Sequence, residues 1–243
     1  MAAKKKGPQV SVDMDGTILD SWFESYRLVS MAWPNLMNGD RYPLEPDEFR
    51  LKVRPVITAA GDFFSFTKAL ADGENLDIHN LDDIRQRYRQ LEADGYRHLM
   101  DARRAVRNDF QLWMSLVPLY DGAKEMLDEL ASMPVDLYII SSKDGETIRH
   151  ILQYYMIELP ENRILDANHG RRPNQLRELR SMGYRARDMV MYDDSSENLA
   201  AAKHMRICAV AAPQGYDLPE RIRGYRQALP GEFPGVAREL LHL

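Results

Sequence analysis

The sequence predicts an α/β fold, a Rossmann-like parallel sheet with helices on both faces, into which an α-helical domain is inserted. Two observations carry this. Short apolar runs alternate with segments of helical periodicity through the second half, whereas the first apolar run, "QVSVD", stands far from the next, with helical sequence between. Strand-helix alternation is the signature of a parallel sheet covered on both faces.

Taken in order, "QVSVD" is the first strand. Residues 21–117 then read as helical and form the inserted domain, leaving 8–20 and 118–243 as a discontinuous core and 1–7 as a flexible basic arm. Within the insert, "LDDIRQRYRQLEADGYRHLMDARRAVRNDFQLWMSL" is rich in helix formers, punctuated by Gly95. Its seven arginines alternate with acids, as on a solvated, ion-paired helix surface. Trp22, Trp33 and Trp113 read as packing within the same domain. "MPVDLYIIS" is the next strand, followed by a helix in which Ile148, Ile151, Leu152 and Tyr155 recur at helical spacing behind an N-cap, Asp144. "NRILD" is a short strand, and "RPNQLRELRSMG" a helix opened by Pro173 and closed by Gly183. "DMVMYDD", "SSENLAAAKHM" and "ICAVAA" then give strand, helix and strand.

Composition narrows the function classes. A formal net charge of -5 is the wrong balance for a nucleic-acid binder, which needs a basic surface. No apolar stretch approaches the roughly 20 residues of a membrane span, and the basic start "MAAKKKGPQ" lacks the apolar region of a secretory signal. The single Cys208 excludes an intramolecular disulfide and fits a reducing compartment, so the cytoplasm is the expected location. Its apolar surroundings read as those of a buried, inert thiol.

The chemistry gathers at strand ends. In "VSVDMDGTILDS", Asp13 and Asp15 leave the first strand on the same side, because side chains alternate along a strand. Two acids facing one point need a cation, or one must hold a proton. An Asx turn is the plainer reading of the same residues. "MVMYDDSSEN" repeats the arrangement with Asp193 and Asp194, which could also serve only to cap the following helix. Parallel neighbouring strands would bring these acids together, a set of hard oxygen ligands that suits Mg²⁺. Ser141 and Ser142, after "VDLYII", can hold an anion or simply cap a helix.

Together these motifs resemble the haloacid dehalogenase superfamily, in its phosphoglycolate phosphatase-like branch. "DMDGTILDS" is similar to the first motif of that family, "YIISS" to the second and "VMYDDSSENLAAAK" to the fourth. The helical insert stands at the family's cap position, and "PLYDGAKEMLDEL" resembles the re-entry into the core. The resemblance spans roughly residues 8 to 20 and 115 to 215.

It implies Asp13 as nucleophile, giving an aspartyl-phosphate, and Asp15 as the acid that protonates the leaving oxygen and then activates water. It also implies Mg²⁺ held by Asp13, Asp15 (through its carbonyl) and Asp194, with Asp193 or Asn198 in support. Ser141 would bind the transferred phosphoryl group, with Thr17 and Ser142 as further substrate contacts. Arg54, in the "VRP" of "LKVRPVITAAGDFF", is the contact expected from the cap, a surface arginine being the alternative. The expected partner is a small phosphorylated metabolite. One position departs from the pattern. The family's third-motif lysine is missing, and Lys143 is too near the second motif to replace it. Arg172 takes that place, with Arg171 as alternative; arginine keeps the charge but is bulkier. The competing expectations are therefore a catalytically weakened phosphate-binding or scaffold protein, and a phosphomutase.

Overall fold

In the computed structural model, which describes residues 6–243, β1 (Gln9–Val12) is wholly buried and leads through residues 13–20 into a helical stretch. The chain divides there into two compact units, Ser21–Pro118 and the remainder. The expected arm lies outside the described residues except for Lys6 and Gly7; the Lys6 ammonium stands 4.3 Å over the Tyr184 ring.

The helical unit comprises α1 (Trp22–Leu36), α2 (Asp62–Ala71), α3 (Leu81–Arg87), α4 (Gln90–Arg107) and α5 (Phe110–Ser115), with α1 packed along α4. Two buried acids organise it. Glu24 accepts the Trp113 indole N–H at 3.0 Å, and Asp62 accepts the Thr58 and Ala59 amides while pairing with Arg85 at 3.0 Å. Trp33 and Trp113 are buried, and Trp22 lies under the Arg50 guanidinium. Several of the arginines pair with neighbouring acids, as Arg97 does with Asp94 and Arg104 with Asp101.

Gly95 does not punctuate this region. It lies inside α4, where a Cβ would stand 2.4 Å from the buried Phe64 ring. The glycine is there for close approach of backbone to ring, and tertiary packing overrides its low helix propensity.

The second unit continues with α6 (Ala123–Ser132), β2 (Asp136–Ile140), α7 (Gly145–Tyr154), β3 (Ile164–Leu165), α8 (Arg172–Ser181), β4 (Met189–Asp193), α9 (Ser196–His204), β5 (Cys208–Ala211), α10 (Pro219–Ile222), β6 (Arg226–Gln227) and α11 (Phe233–Leu241). The six strands form one parallel sheet in the order β3-β2-β1-β4-β5-β6. The two residues of β6 are exposed and polar, which is why periodicity gives no sign of them. Cys208 begins β5 half-buried rather than enclosed.

Period-two alternation splits the apolar side chains between the faces. Tyr138, Ile140, Met189 and Met191 pack with Leu176 and Leu179 of α8 and Leu199 and Ala202 of α9. Residues of the other parity, Val10, Val12, Ile139 and Tyr192, are buried as well, and Tyr192 stacks on Phe233 of α11 at 4.2 Å. Asp144 caps α7 by accepting the Thr147 amide, and Gly183 follows α8 with φ +103°. Among the described residues no helix is long and apolar enough to cross a membrane.

The strand order reverses between β1 and β4, and open sheets of this order bind ligands at the carboxyl ends of the strands beside that switch. Asp13 and Asp193 stand there side by side, since Val12 is in register with Tyr192.

The packing of α4 yields a test away from the sheet. Gly95→Ala gains about 1 kcal/mol in helix propensity, yet it should cost about 1–3 kcal/mol net by overpacking Phe64. Urea unfolding measures this, and a stabilised variant would show the contact to be slack.

Candidate active site

Asp13 follows β1 directly, and its amide donates to the Tyr192 carbonyl at 3.0 Å, which locks the two strand ends together. One carboxylate oxygen each from Asp13, Asp193 and Asp194 lies within 4.8 Å of the others, and all three residues are buried. The guanidinium of Arg172, the first residue of α8, reaches into this group. Its Nη2 stands 2.7 Å from Asp13 Oδ1 and 3.0 Å from Asp193 Oδ2. Arg171, the alternative, is exposed.

Each acid has its own surroundings. Asp193 accepts the Ser195 amide and both contacts of the Asn198 side-chain amide, besides Arg172. Asn198 thus reaches the cluster through Asp193. Asp194 Oδ2 accepts the Tyr216 amide at 2.8 Å and lies between two glycines. A Cβ at Gly16, where φ is +78°, would fall 2.1 Å from that oxygen, and one at Gly215 would fall 2.1 Å from Asp194 Cβ. Any side chain at either position would displace Asp194. Asp15 is not part of the three-acid group, because its carboxylate turns to Lys143 Nζ at 3.0 Å.

Ser141 is buried, and its hydroxyl accepts the Lys143 amide at 3.1 Å; Ser142 is exposed. The Thr17 hydroxyl is buried with no hydrogen-bond partner among the described residues. Arg54 belongs to the helical unit, half-buried in a 3₁₀ turn (Arg54–Val56) that directly follows a π-helical turn (Phe49–Val53).

Two contributors escape sequence reasoning. Lys143 follows the second serine motif too closely to match the family's lysine, yet a loop at a strand end can aim it at Asp15. Gln175, buried on α8, holds Arg172 Nη1 at 2.9 Å. Its polar amide in a helix face otherwise lined by leucines is the one signal that could have drawn attention to it.

The electrostatics follow from burial. Desolvation pushes the Asp13 carboxyl up to about 7, with Asp193 and Asp15 adding to the rise and Arg172 opposing it. Burial also raises Asp193, against Arg172, the Ser195 amide and Asn198. Burial works against the charge on Arg172, but Asp13 and Asp193 outweigh it and hold the guanidinium protonated. With all four carboxyls ionised, Asp13, Asp15, Asp193 and Asp194 carry two more charges than Arg172 and Lys143 cancel. A divalent cation cancels that excess, and a cluster of carboxylates alone suits a hard ion such as Mg²⁺. The residues present fit the metal.

This makes stability depend on pH in a stated direction. Between about pH 4 and 7 the folded, metal-free protein keeps a proton on Asp13 that the unfolded chain has released. Unfolding free energy therefore falls as pH rises through that window and levels off above it. Thermal unfolding in EDTA should show this fall in the parent, a shallower one in Asp13→Asn, and recovery near pH 7 on adding Mg²⁺. Identical slopes in the two proteins would show that Asp13 does not carry the proton.

Comparison with known proteins bears on the family and the fold. A sequence model of the haloacid dehalogenase-like hydrolases matches residues 10–206. A phosphoglycolate phosphatase from Vibrio parahaemolyticus is 24% identical over 218 residues, covering 88% of this chain and 86% of that protein. The crystal structure of a predicted phosphoglycolate phosphatase from Haemophilus somnus superposes with a TM-score of 0.66 at 12% identity, over 95% of this chain and 97% of that one. A haloacid dehalogenase family hydrolase from Deinococcus radiodurans, solved with bound phosphate and sodium, gives a TM-score of 0.59 at 16% identity, over 98% and 97% of the two chains. The solved structures share the fold, and the match over most of the chain makes the family plain: this protein belongs to the haloacid dehalogenase-like hydrolases.

Proposed function

We propose that the chain is a Mg²⁺-dependent phosphatase that hydrolyses a small phosphomonoester through an aspartyl-phosphate on Asp13. The observation that carries this reading is the grip of Arg172 on Asp13 inside a buried acidic cluster at the sheet's switch point. The names of the relatives, phosphoglycolate phosphatases among them, point to the same chemistry.

Each residue has a part in the reaction. An oxygen of Asp13 attacks phosphorus as the ester P–O bond breaks, and the departing alkoxide takes a proton from Asp15, which must enter this step as the neutral carboxylic acid. Water then attacks the phosphorus of the aspartyl-phosphate while Asp15 accepts its proton, releasing inorganic phosphate and restoring Asp13. Arg172 supplies fixed positive charge beside the nucleophile and limits its rotation. Lys143 orients the Asp15 carboxylate. Asp13, Asp194 and the Asp15 carbonyl, with Asp193 in support, would hold the metal, which would supply the charge neutralisation that lets a phosphate dianion approach carboxylates. Ser141, Ser142 and the unmet hydroxyl of Thr17 are assigned to the phosphoryl group and substrate. The helical unit is assigned the role of a cap that carries substrate preference, with Arg54 as its first candidate contact.

The test is phosphate release from a broad panel of phosphomonoesters with Mg²⁺. The parent should turn over at least one ester class, and Asp13→Asn should abolish release without unfolding the protein. Asp15→Asn should cost about 10²–10⁴-fold on alkyl esters, the usual range for a general acid. Arg172→Lys should lower turnover, because an ammonium does not reproduce the guanidinium fork. An inactive parent that gains activity in Arg172→Lys would favour the weakened phosphate-binding reading, and transfer to a sugar hydroxyl would favour a phosphomutase.

A further inference from the structure

The Arg172 guanidinium is held from behind as well as in front. Gln175, one turn along α8 and 1% exposed, accepts Arg172 Nη1 through Oε1 at 2.9 Å. Its Nε2 faces three backbone carbonyls: Ser141 at 2.7 Å, Asp166 at 3.0 Å and Leu165 at 3.1 Å. These carbonyls follow or end β2 and β3, so the side chain ties α8 to two strand ends at once.

The amide orientation is determined by its neighbours. Reversed, it would set its oxygen against three carbonyl oxygens and its N–H groups against the guanidinium donors. Glutamate would place a carboxylate against the same carbonyls. Only a neutral amide of this length both donates to the backbone and accepts from Arg172. Among the described residues this long, rotatable arginine is otherwise held only by the two buried carboxylates it pairs with, and Asp13 must hold still for an in-line attack.

We infer that Gln175 is a positioning residue: it fixes the Arg172 guanidinium against the ends of β2 and β3, and through Arg172 it fixes the Asp13 carboxylate. Arg172 and Gln175 then act as one unit, in which the amide serves the second guanidinium nitrogen, an atom a lysine would lack. The kinetic consequence rests on the phosphatase reading; the geometric one does not.

Gln175→Met, close in volume but without the hydrogen bonds, provides the test. On an ester that the parent hydrolyses, kcat should fall about 10–100-fold with KM within about threefold, because misplacement acts on the reacting geometry rather than on binding. In an Arg172→Lys background the same change should cost less than about threefold, since contacts acting as a unit are not additive. A fall in melting temperature with kcat unchanged, or equal losses in both backgrounds, would overturn the inference and leave Gln175 as a structural tie. A second readout needs neither metal nor turnover. The guanidinium Nη resonances of Arg172, assigned by their loss in Arg172→Lys, should be separately resolved in the parent and averaged in Gln175→Met. Unchanged resonances would overturn the inference even if the parent proved to be no phosphatase.

Discussion

The structure of the site turns on one buried contact, the Arg172 guanidinium between Asp13 and Asp193. Without a cation there, two carboxylates on adjacent strand ends would repel in a medium of low dielectric, and burial alone already drives the Asp13 proton affinity upward. Arg172 reduces that conflict without removing it. What is left is a buried, acid-rich cluster whose chemistry fits a divalent ion. A buried charge cluster of this kind is costly to fold, and its presence beside the switch point is an argument for function rather than for stability.

Much of this was legible in the sequence because its causes are local. Strand ends were marked by apolar runs that stop at acids, and taking the strands as parallel neighbours brought the acids of the two motifs together. Asp13 and the Asp-Asp of "VMYDDSSEN" meet at their strand ends, whereas Asp15 turns to Lys143, and Arg172 meets Asp13 from the start of its predicted helix. The remainder depended on side-chain reach across sequence distance. Lys143 is disqualified by spacing yet turns back to Asp15. Gly215, far along the chain, shapes the space for Asp194. Gln175 shows nothing in its own neighbourhood of the three carbonyls it meets.

Arginine at position 172 changes how the site must be built. An ammonium is a compact charge with freely oriented donors, while a guanidinium is a planar fork that works only if its plane is held. The surroundings answer that need: carboxylates take one terminal nitrogen and an amide anchored on three carbonyls takes the other. The guanidinium thus has a matching partner in the same helix.

The central claim, that Asp13 receives the phosphoryl group, is tested most directly by trapping it. Nitrophenolate leaves without needing a proton, so Asp15→Asn should still form the aspartyl-phosphate from nitrophenyl phosphate and Mg²⁺ but hydrolyse it slowly. Acid quench, borohydride reduction and peptide mass spectrometry should then find Asp13 converted to homoserine. Turnover of the same ester by the parent, with no modification in the variant or with modification at another residue, would contradict the account.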